Sequence, residues 1–229
     1  MINPLDLYAK IEPMIGFYDQ YETLYCRYLS HLKTLLVTSV LDVGCGNGKF
    51  LKHLQATAIV AQGVDRSEQM IAIAKKLGVT ASTQELCDFE EGSFESVVAI
   101  ADVLNYIPPT EIMDFFHAVH RVIKPKGYFV CDVNTLYGFE NVAEGVMQQE
   151  DDARFLSIEA TYANKELKTK ITLFEKEGAL YRKESGEITQ YFHALSALKK
   201  IPGFTLRSSS PIVLFGEEAD KTLLTYQKI

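Results

Sequence analysis

Val40-Leu41-Asp42-Val43-Gly44-Cys45-Gly46-Asn47-Gly48-Lys49-Phe50 begins as an apolar run and breaks into glycines at every second position. The run reads as a buried parallel strand ending at Val43. The glycines let the backbone turn tightly and come close to a ligand that side chains would push away. Lys49-Phe50-Leu51-Lys52-His53-Leu54 resumes with helical spacing, so the glycines lie between a strand and a helix N-terminus, where unpaired N–H groups and the helix dipole favour negative charge. Taken alone, the stretch outlines an anion site.

The residues downstream repeat the strand-to-helix rhythm. Ala58 to Asp65 is a second short apolar run, and its terminal Asp65 lies 21 residues beyond Gly44. In a βαβ unit that distance sets the carboxylate beside the glycine loop, within reach of both hydroxyls of a ribose. Ser67 is placed to cap a helix over 68–76. Gly78 to Thr83 gives a weaker third strand and Phe94 to Ile100 a clear fourth. Thr110 is expected to cap a helix running to Ile123, and Lys124-Pro125-Lys126-Gly127 to turn the chain into a fifth strand, Tyr128 to Val133. Alternation of this kind predicts a parallel sheet with helices on both faces and a ligand crevice at the carboxyl ends of the strands.

From about Glu140 to Ile188 the apolar period changes to two, as in Leu156 to Tyr162 and Lys168 to Glu175, with Ala163-Asn164-Lys165-Glu166 as the turn between. These are half-buried antiparallel strands, expected as a small sheet over the crevice. A last helix, His193 to Lys200, and closing strands near 204–207 and 222–226 complete the chain. At the other end, Leu5 to Leu36 reads as helical, with Tyr18, Tyr21, Tyr25 and Tyr28 on one face. The stripe either packs on a core or, through Tyr18 and Asp19, closes over the glycine loop.

With 229 residues and 47% hydrophobic content, one α/β domain with an embellishment is expected. A formal net charge of -7 argues against a broad electrostatic grip on nucleic acid or an anionic membrane. No basic-then-apolar leader and no apolar run near about 20 residues is seen, so the sequence reads as soluble and cytoplasmic. Cys26, Cys45, Cys87 and Cys131 show no paired ligand spacing; buried thiols are expected, and no metal site.

Asp42-Val43-Gly44-Cys45-Gly46-Asn47-Gly48, Gly63-Val64-Asp65 followed by Ser67 and Met70, Phe94 to Val98, and Val122 to Tyr128 together resemble, in order and spacing, the motifs of class I, Rossmann-like S-adenosylmethionine-dependent methyltransferases. The resemblance covers about Val40 to Val133. A dinucleotide fingerprint starting at Gly44 would need glycine where Lys49 stands, and Asp42 would repel a pyrophosphate. S-adenosylmethionine instead carries a cationic sulfonium and amino group, which a carboxylate suits. The loop is then a close-approach surface for a cation.

The resemblance implies a doubly wound, mostly parallel seven-stranded α/β sheet with a small antiparallel β insertion after the fifth strand. It divides one domain into a helical lid (1–36), a cofactor-binding core (37–139), an acceptor cover (140–190) and a closing segment (191–229). It implies that Gly44, Cys45, Gly46, Asn47 and Gly48 pass against the methionine moiety, with Asp42 orienting it. Asp65 holds the ribose, Met70 belongs to the same second motif, and Arg66 takes the place of an apolar adenine neighbour, where a guanidinium also stacks. Glu85 and Leu86 meet the adenine edge, with Asp88 as the rival to Glu85. Tyr18 belongs to the lid, and Ala101 lies where methyl group and acceptor meet.

Asn105, Tyr106 and His193 are the catalytic candidates, each with a plain alternative as turn or packing residue; His117 and His120 read as surface or packing residues. The implied reaction is methyl transfer to nitrogen or oxygen of a small-molecule acceptor by in-line displacement, with no nucleic-acid or membrane partner and the oligomeric state open. A non-catalytic cofactor-binding regulator and another transferase using the same cofactor are the alternatives.

Overall fold

The computed structural model describes residues 4–229. Of the expected helical lid, positions 1–3 lie outside the described residues. The remainder of that segment is two helices, α1 (Pro4–Ile15) and α2 (Tyr18–Thr34), because Gly16 takes a left-handed φ of 77° that continues no helix. The strand and helix alternation follows: β1 (Ser39–Val43), α3 (Lys49–Gln55), β2 (Val60–Val64), α4 (Glu68–Lys76), β3 (Ala81–Ser82), β4 (Phe94–Ala99), α5 (Ile112–Val122) and β5 (Ile123–Asn134). Ser67 caps α4 as expected, its Oγ accepting from Met70 N at 3.1 Å.

Three local expectations are corrected. Thr110 caps nothing: it sits in a turn closed by Glu111 N on Pro108 O, and α5 starts after Glu111. The turn at Lys124 to Gly127 is an irregularity inside β5, with Lys126 at a φ of 66°. The last helix, α6 (Leu195–Leu198), is one turn, since Pro202-Gly203 forbids a longer one and His193 is drawn elsewhere.

A seven-stranded sheet is completed by β10 (Phe204–Ile212) and β11 (Lys221–Lys228), in the order β10-β11-β5-β4-β1-β2-β3. It is parallel from β3 to β5, while β11 runs antiparallel to both its neighbours. Strand order reverses between β1 and β4, and a crevice opens there at the carboxyl ends. One face of the sheet is covered by α2, α3 and α4 and the other by α5, each with its own buried apolar cluster. The face of α2 that carries Leu24, Tyr28 and Leu32 is therefore core, and α1 with the face of α2 that carries Tyr18, Tyr21 and Tyr25 is left to cover the crevice.

The period-two segment forms a separate antiparallel sheet of β6 (Gly145–Glu150), β7 (Arg154–Ala163), β8 (Glu166–Glu177) and β9 (Leu180–Tyr191). Asn164 and Lys165, both at positive φ, make the β7–β8 turn that the sequence predicts. Leu7 and Ile11 of α1 pack on Leu156, Ile171, Leu173 and Ile188 of this sheet, so helix and sheet cap the crevice as one unit. Lys10 of α1 pairs with Glu184 of β9 at 2.7 Å, and Glu12 of α1 with Lys49 of α3 at 3.0 Å.

Candidate active site

Between the strand ends and this cap lies a cavity of about 1150 Å³. The glycine loop forms one wall, and four of its backbone donors are already used. Gly44 N and Cys45 N donate to Val64 O at 2.8 and 3.0 Å, Gly46 N to Asp65 Oδ2 at 2.9 Å, and Gly48 N to Cys45 O at 3.0 Å. Little is left for an anion, which is the physical reason this loop is no phosphate cradle. Gly44, at φ 72°, is pressed so close to Val103 that an added Cβ would stand 2.5 Å from it; Gly46, at φ 51°, faces open space where a ligand can meet bare backbone.

Asp42, the fourth residue of β1, is buried at 2% exposure, and its Oδ1 has no hydrogen-bond partner. Burial first, and then the charge of Asp65, push its carboxyl well above the usual range. A buried acceptor with nothing to accept from, at the edge of a cavity, fits a cationic ligand group. Asp65 is raised by burial too, opposed by N–H bonds from Ser67 at 2.8 Å and Gly46. Those bonds fix its carboxylate while leaving lone pairs toward the cavity.

Glu85 and Leu86 line the cavity, and Asp88 does not: its Oδ2 accepts from Glu85 N at 3.0 Å and so shapes the turn that presents Glu85. Arg121 holds this turn from α5 through Leu86 O and Phe89 O. Arg66 lines the cavity with a largely exposed side chain, 3.9 Å from Glu85. Cys45, Asn47, Met70 and Ala101 are on the wall as well. Gly48 is not; it faces away, against Ala74 and Val79, where it allows α3 to approach α4.

The tyrosine stripe divides. Tyr28 is fully buried and donates to Asp132 Oδ1 at 2.6 Å, whereas Tyr18, Tyr21 and Tyr25 face the cavity beside Tyr8 of α1; Asp19 does not. Lys49 Nζ stands 4.2 Å above the Tyr18 ring. Burial raises the phenols of Tyr8 and Tyr106 above their ordinary range, and the neighbouring Tyr8 does the same for Tyr21. The surface that Tyr106 exposes is cavity wall.

Two catalytic candidates are placed elsewhere. Asn105 is fully buried and off the cavity wall: its Oδ1 accepts from Asn134 N at 2.9 Å and its Nδ2 donates to Tyr191 O at 2.8 Å, tying the end of β4 to β5 and β9. His193 is buried with Nε2 3.0 Å from both Leu104 O and Ile107 O, and burial lowers its pKa. It clamps a loop and does not reach the crevice. Asn105→Ala leaves two buried backbone groups unpaired and is expected to cost about 2–4 kcal/mol in thermal or urea unfolding, with cofactor affinity kept. Unchanged stability with lost turnover would return Asn105 to the catalytic list. Of the four thiols, Cys26 and Cys87 are exposed, against expectation, and Cys45 and Cys131 buried.

Sequence reasoning passed over Asp102 and Lys221. Both line the cavity, and they form an ion pair 119 residues apart along the chain. The one available signal was a lysine opening the otherwise apolar strand Thr222 to Tyr226.

A glycine loop after β1, a carboxylate after β2, reversal of strand order between them and β4, and an orphaned buried acid define a class I, Rossmann-like S-adenosylmethionine-dependent methyltransferase. Residues 40–127 match the model of the methyltransferase domain family, and this chain is an enzyme of that class. A protein of Geobacillus sp. (strain WCH70), provisionally named a methyltransferase, is 25% identical over 193 residues, 76% of this chain and 78% of its own. An S-adenosylmethionine-dependent methyltransferase from Clostridium acetobutylicum superposes with a TM-score of 0.75 at 17% identity, over 91% of this chain and 92% of that one. CalS10, an amino pentose methyltransferase from Micromonospora echinaspora solved with S-adenosylmethionine bound, gives 0.71 at 16% identity over 97% of each chain. At these identities the structural likeness is one of fold. No described helix is long and apolar enough to cross a membrane.

Proposed function

We propose that the enzyme methylates a small molecule held in the cavity between Tyr106, α1 and the antiparallel sheet. The observation that carries this reading is the size of the cavity. At about 1150 Å³ it exceeds the roughly 300–1,000 Å³ that one drug-sized ligand occupies, so cofactor and small acceptor fit together.

S-adenosylmethionine supplies a methyl group on a sulfonium, a leaving group that needs no protonation. The chain's own contribution is alignment and charge. Asp42 accepts from the cofactor's amino group, Asp65 from the ribose hydroxyls, and Glu85 with Leu86 from and to the adenine edge. Gly44 and Gly46 let the methionine moiety lie against backbone. Tyr8, Tyr18, Tyr21 and Tyr106 enclose the space in front of the methyl group and exclude water.

Asp65→Ala is expected to weaken S-adenosylmethionine binding by about 10- to 100-fold in calorimetry, since two charge-assisted hydrogen bonds are lost. Wild-type protein that does not bind S-adenosylmethionine would overturn the assignment of this site. Turnover yielding S-adenosylhomocysteine and a product heavier by one methylene separates methyl transfer from other transfers, and from a binding-only role that yields neither.

A further inference from the structure

The cavity wall also carries a buried charge cluster outside the residues assigned above to the cofactor. Lys221, the first residue of β11, has a side chain only 4% exposed. Its ammonium is paired with Asp102, donates to Asn134 Oδ1 at 2.7 Å and stands 4.0 Å from Asp132 Oδ2. Two carboxylates thus share one ammonium. Asp132 is enclosed and satisfied by Tyr28 and by the N–H groups of Ala101 and Asp102. Asp102 is the member left facing the cavity, with 23% of its side chain exposed. The chain accepts unusual backbone to put it there, since Ala101 and Asp102 are consecutive non-glycine residues at φ 61° and 71°.

The rest of the wall is biased the same way. Acidic side chains lining the cavity outnumber basic ones by more than three to one, the basic ones being Lys49, Arg66 and Lys221. Lys49 is taken by Glu12 and Lys221 by Asp102. Among the described residues no histidine lines the cavity, and the phenols of Tyr8, Tyr21 and Tyr106 feel the charge of Asp102, which helps keep them protonated. A hydroxyl acceptor would need its proton removed during attack; neither the phenols nor the turned-away His193 offers a base, and the wall carboxylates are weak ones for an alcohol proton. An unprotonated amine needs none.

We propose, on the reading of this site as a methyltransferase's, that the acceptor is a small-molecule amine and that Asp102 accepts a hydrogen bond from its N–H. The nitrogen lone pair forms the N–CH₃ bond as the S–CH₃ bond breaks, its electron pair staying on sulfur as a neutral thioether. The positive charge moves from sulfur to nitrogen, and the methylated ammonium then gives its proton to water. The contact with Asp102 strengthens as that charge arrives, so it favours the transition state over the bound amine. Lys221 fixes the carboxylate on one side and leaves the other for the acceptor.

The test uses matched probes, cyclohexylamine and cyclohexanol, titrated into protein saturated with S-adenosylhomocysteine. The amine is expected to bind about ten-fold or more tightly than the alcohol. Asp102→Asn and Asp102→Gly, both of which tolerate the left-handed backbone, are expected to erase that preference while S-adenosylhomocysteine affinity stays within about two-fold. Equal binding of the two probes, tighter binding of the alcohol, saturable binding of neither, or a preference surviving in both variants overturns the proposal. Failure of wild-type protein to bind S-adenosylhomocysteine overturns the methyltransferase site itself, and so is a distinguishable result.

Discussion

Asp42→Asn is expected to remove nearly all affinity for S-adenosylmethionine and, at neutral pH, to raise the Tm of the unliganded protein. The two effects have one cause. Asp42 is taken out of water by β1 and its neighbours, its Oδ1 finds no donor, and Asp65 adds like charge. Its carboxyl titrates well above the ordinary range in the folded state and normally in the unfolded one. A group raised in this way contributes fully below the unfolded pKa, and its contribution is lost as pH rises through the folded pKa. At neutral pH, above the unfolded-state pKa, the side chain therefore works against the free fold.

An amide at position 42 carries no charge, and its unpaired polar atoms cost less than a buried anion. A gain of about 1–3 kcal/mol corresponds to roughly 3–10 °C in a chain of this size. The difference from wild type should shrink as pH falls toward 4 and the wild-type carboxyl protonates. Loss of the ionic contact to the cofactor's amino group is expected to cost about 100-fold or more in affinity. Scanning calorimetry across pH, with titration calorimetry at pH 7.5, checks both halves. A variant less stable than wild type in the absence of ligand would show that Asp42 is held by the fold and not by the ligand.

What the sequence makes legible is what is local. Asp42, the glycines and Asp65 are ordered by one βαβ unit, and their spacing alone brings them together. Ser67 caps α4 through residues three apart, and Asn164-Lys165 closes a hairpin between strands that share a period. Where distant residues decide, letters fail. Asn105 has the type and place of a catalytic amide, yet its bonds go to Asn134 and Tyr191, 29 and 86 residues away. His193 is claimed by carbonyls 86 and 89 residues back. Asp102 belongs to no motif of its own, since only the sheet order, which sets β11 beside β5 and β5 beside β4, brings Lys221 to it. The break at Gly16 was missed for another reason: the amphipathic period runs through it, and a single glycine is tolerated inside many helices.

The largest effect on stability is expected from Asp132→Ala. Asp132 on β5 is fully buried and accepts from Tyr28 Oη at 2.6 Å, Ala101 N at 2.9 Å and Asp102 N at 3.1 Å. Truncation strands the N–H groups of Ala101 and Asp102, leaves the Tyr28 hydroxyl with Ala99 O alone at 3.2 Å, and leaves Lys221 with one carboxylate less. It also frees the left-handed pair Ala101-Asp102 from the group that holds it. Such losses sum to about 3–5 kcal/mol, or roughly 10 °C or more in Tm.

The charge of Asp132 is not the source of this stability, because burial outweighs Lys221 and pushes its carboxyl up. What the fold uses is an acceptor in the right place. Asp132→Asn keeps one such oxygen and is expected to cost about 1–2 kcal/mol, less than half the loss in the alanine variant, whereas Tyr28→Phe leaves both N–H bonds and should cost about 1 kcal/mol. If the asparagine variant is as unstable as the alanine one, the ion pair with Lys221 carries the cluster. The loop at 101–102 would then be held by charge and not by geometry.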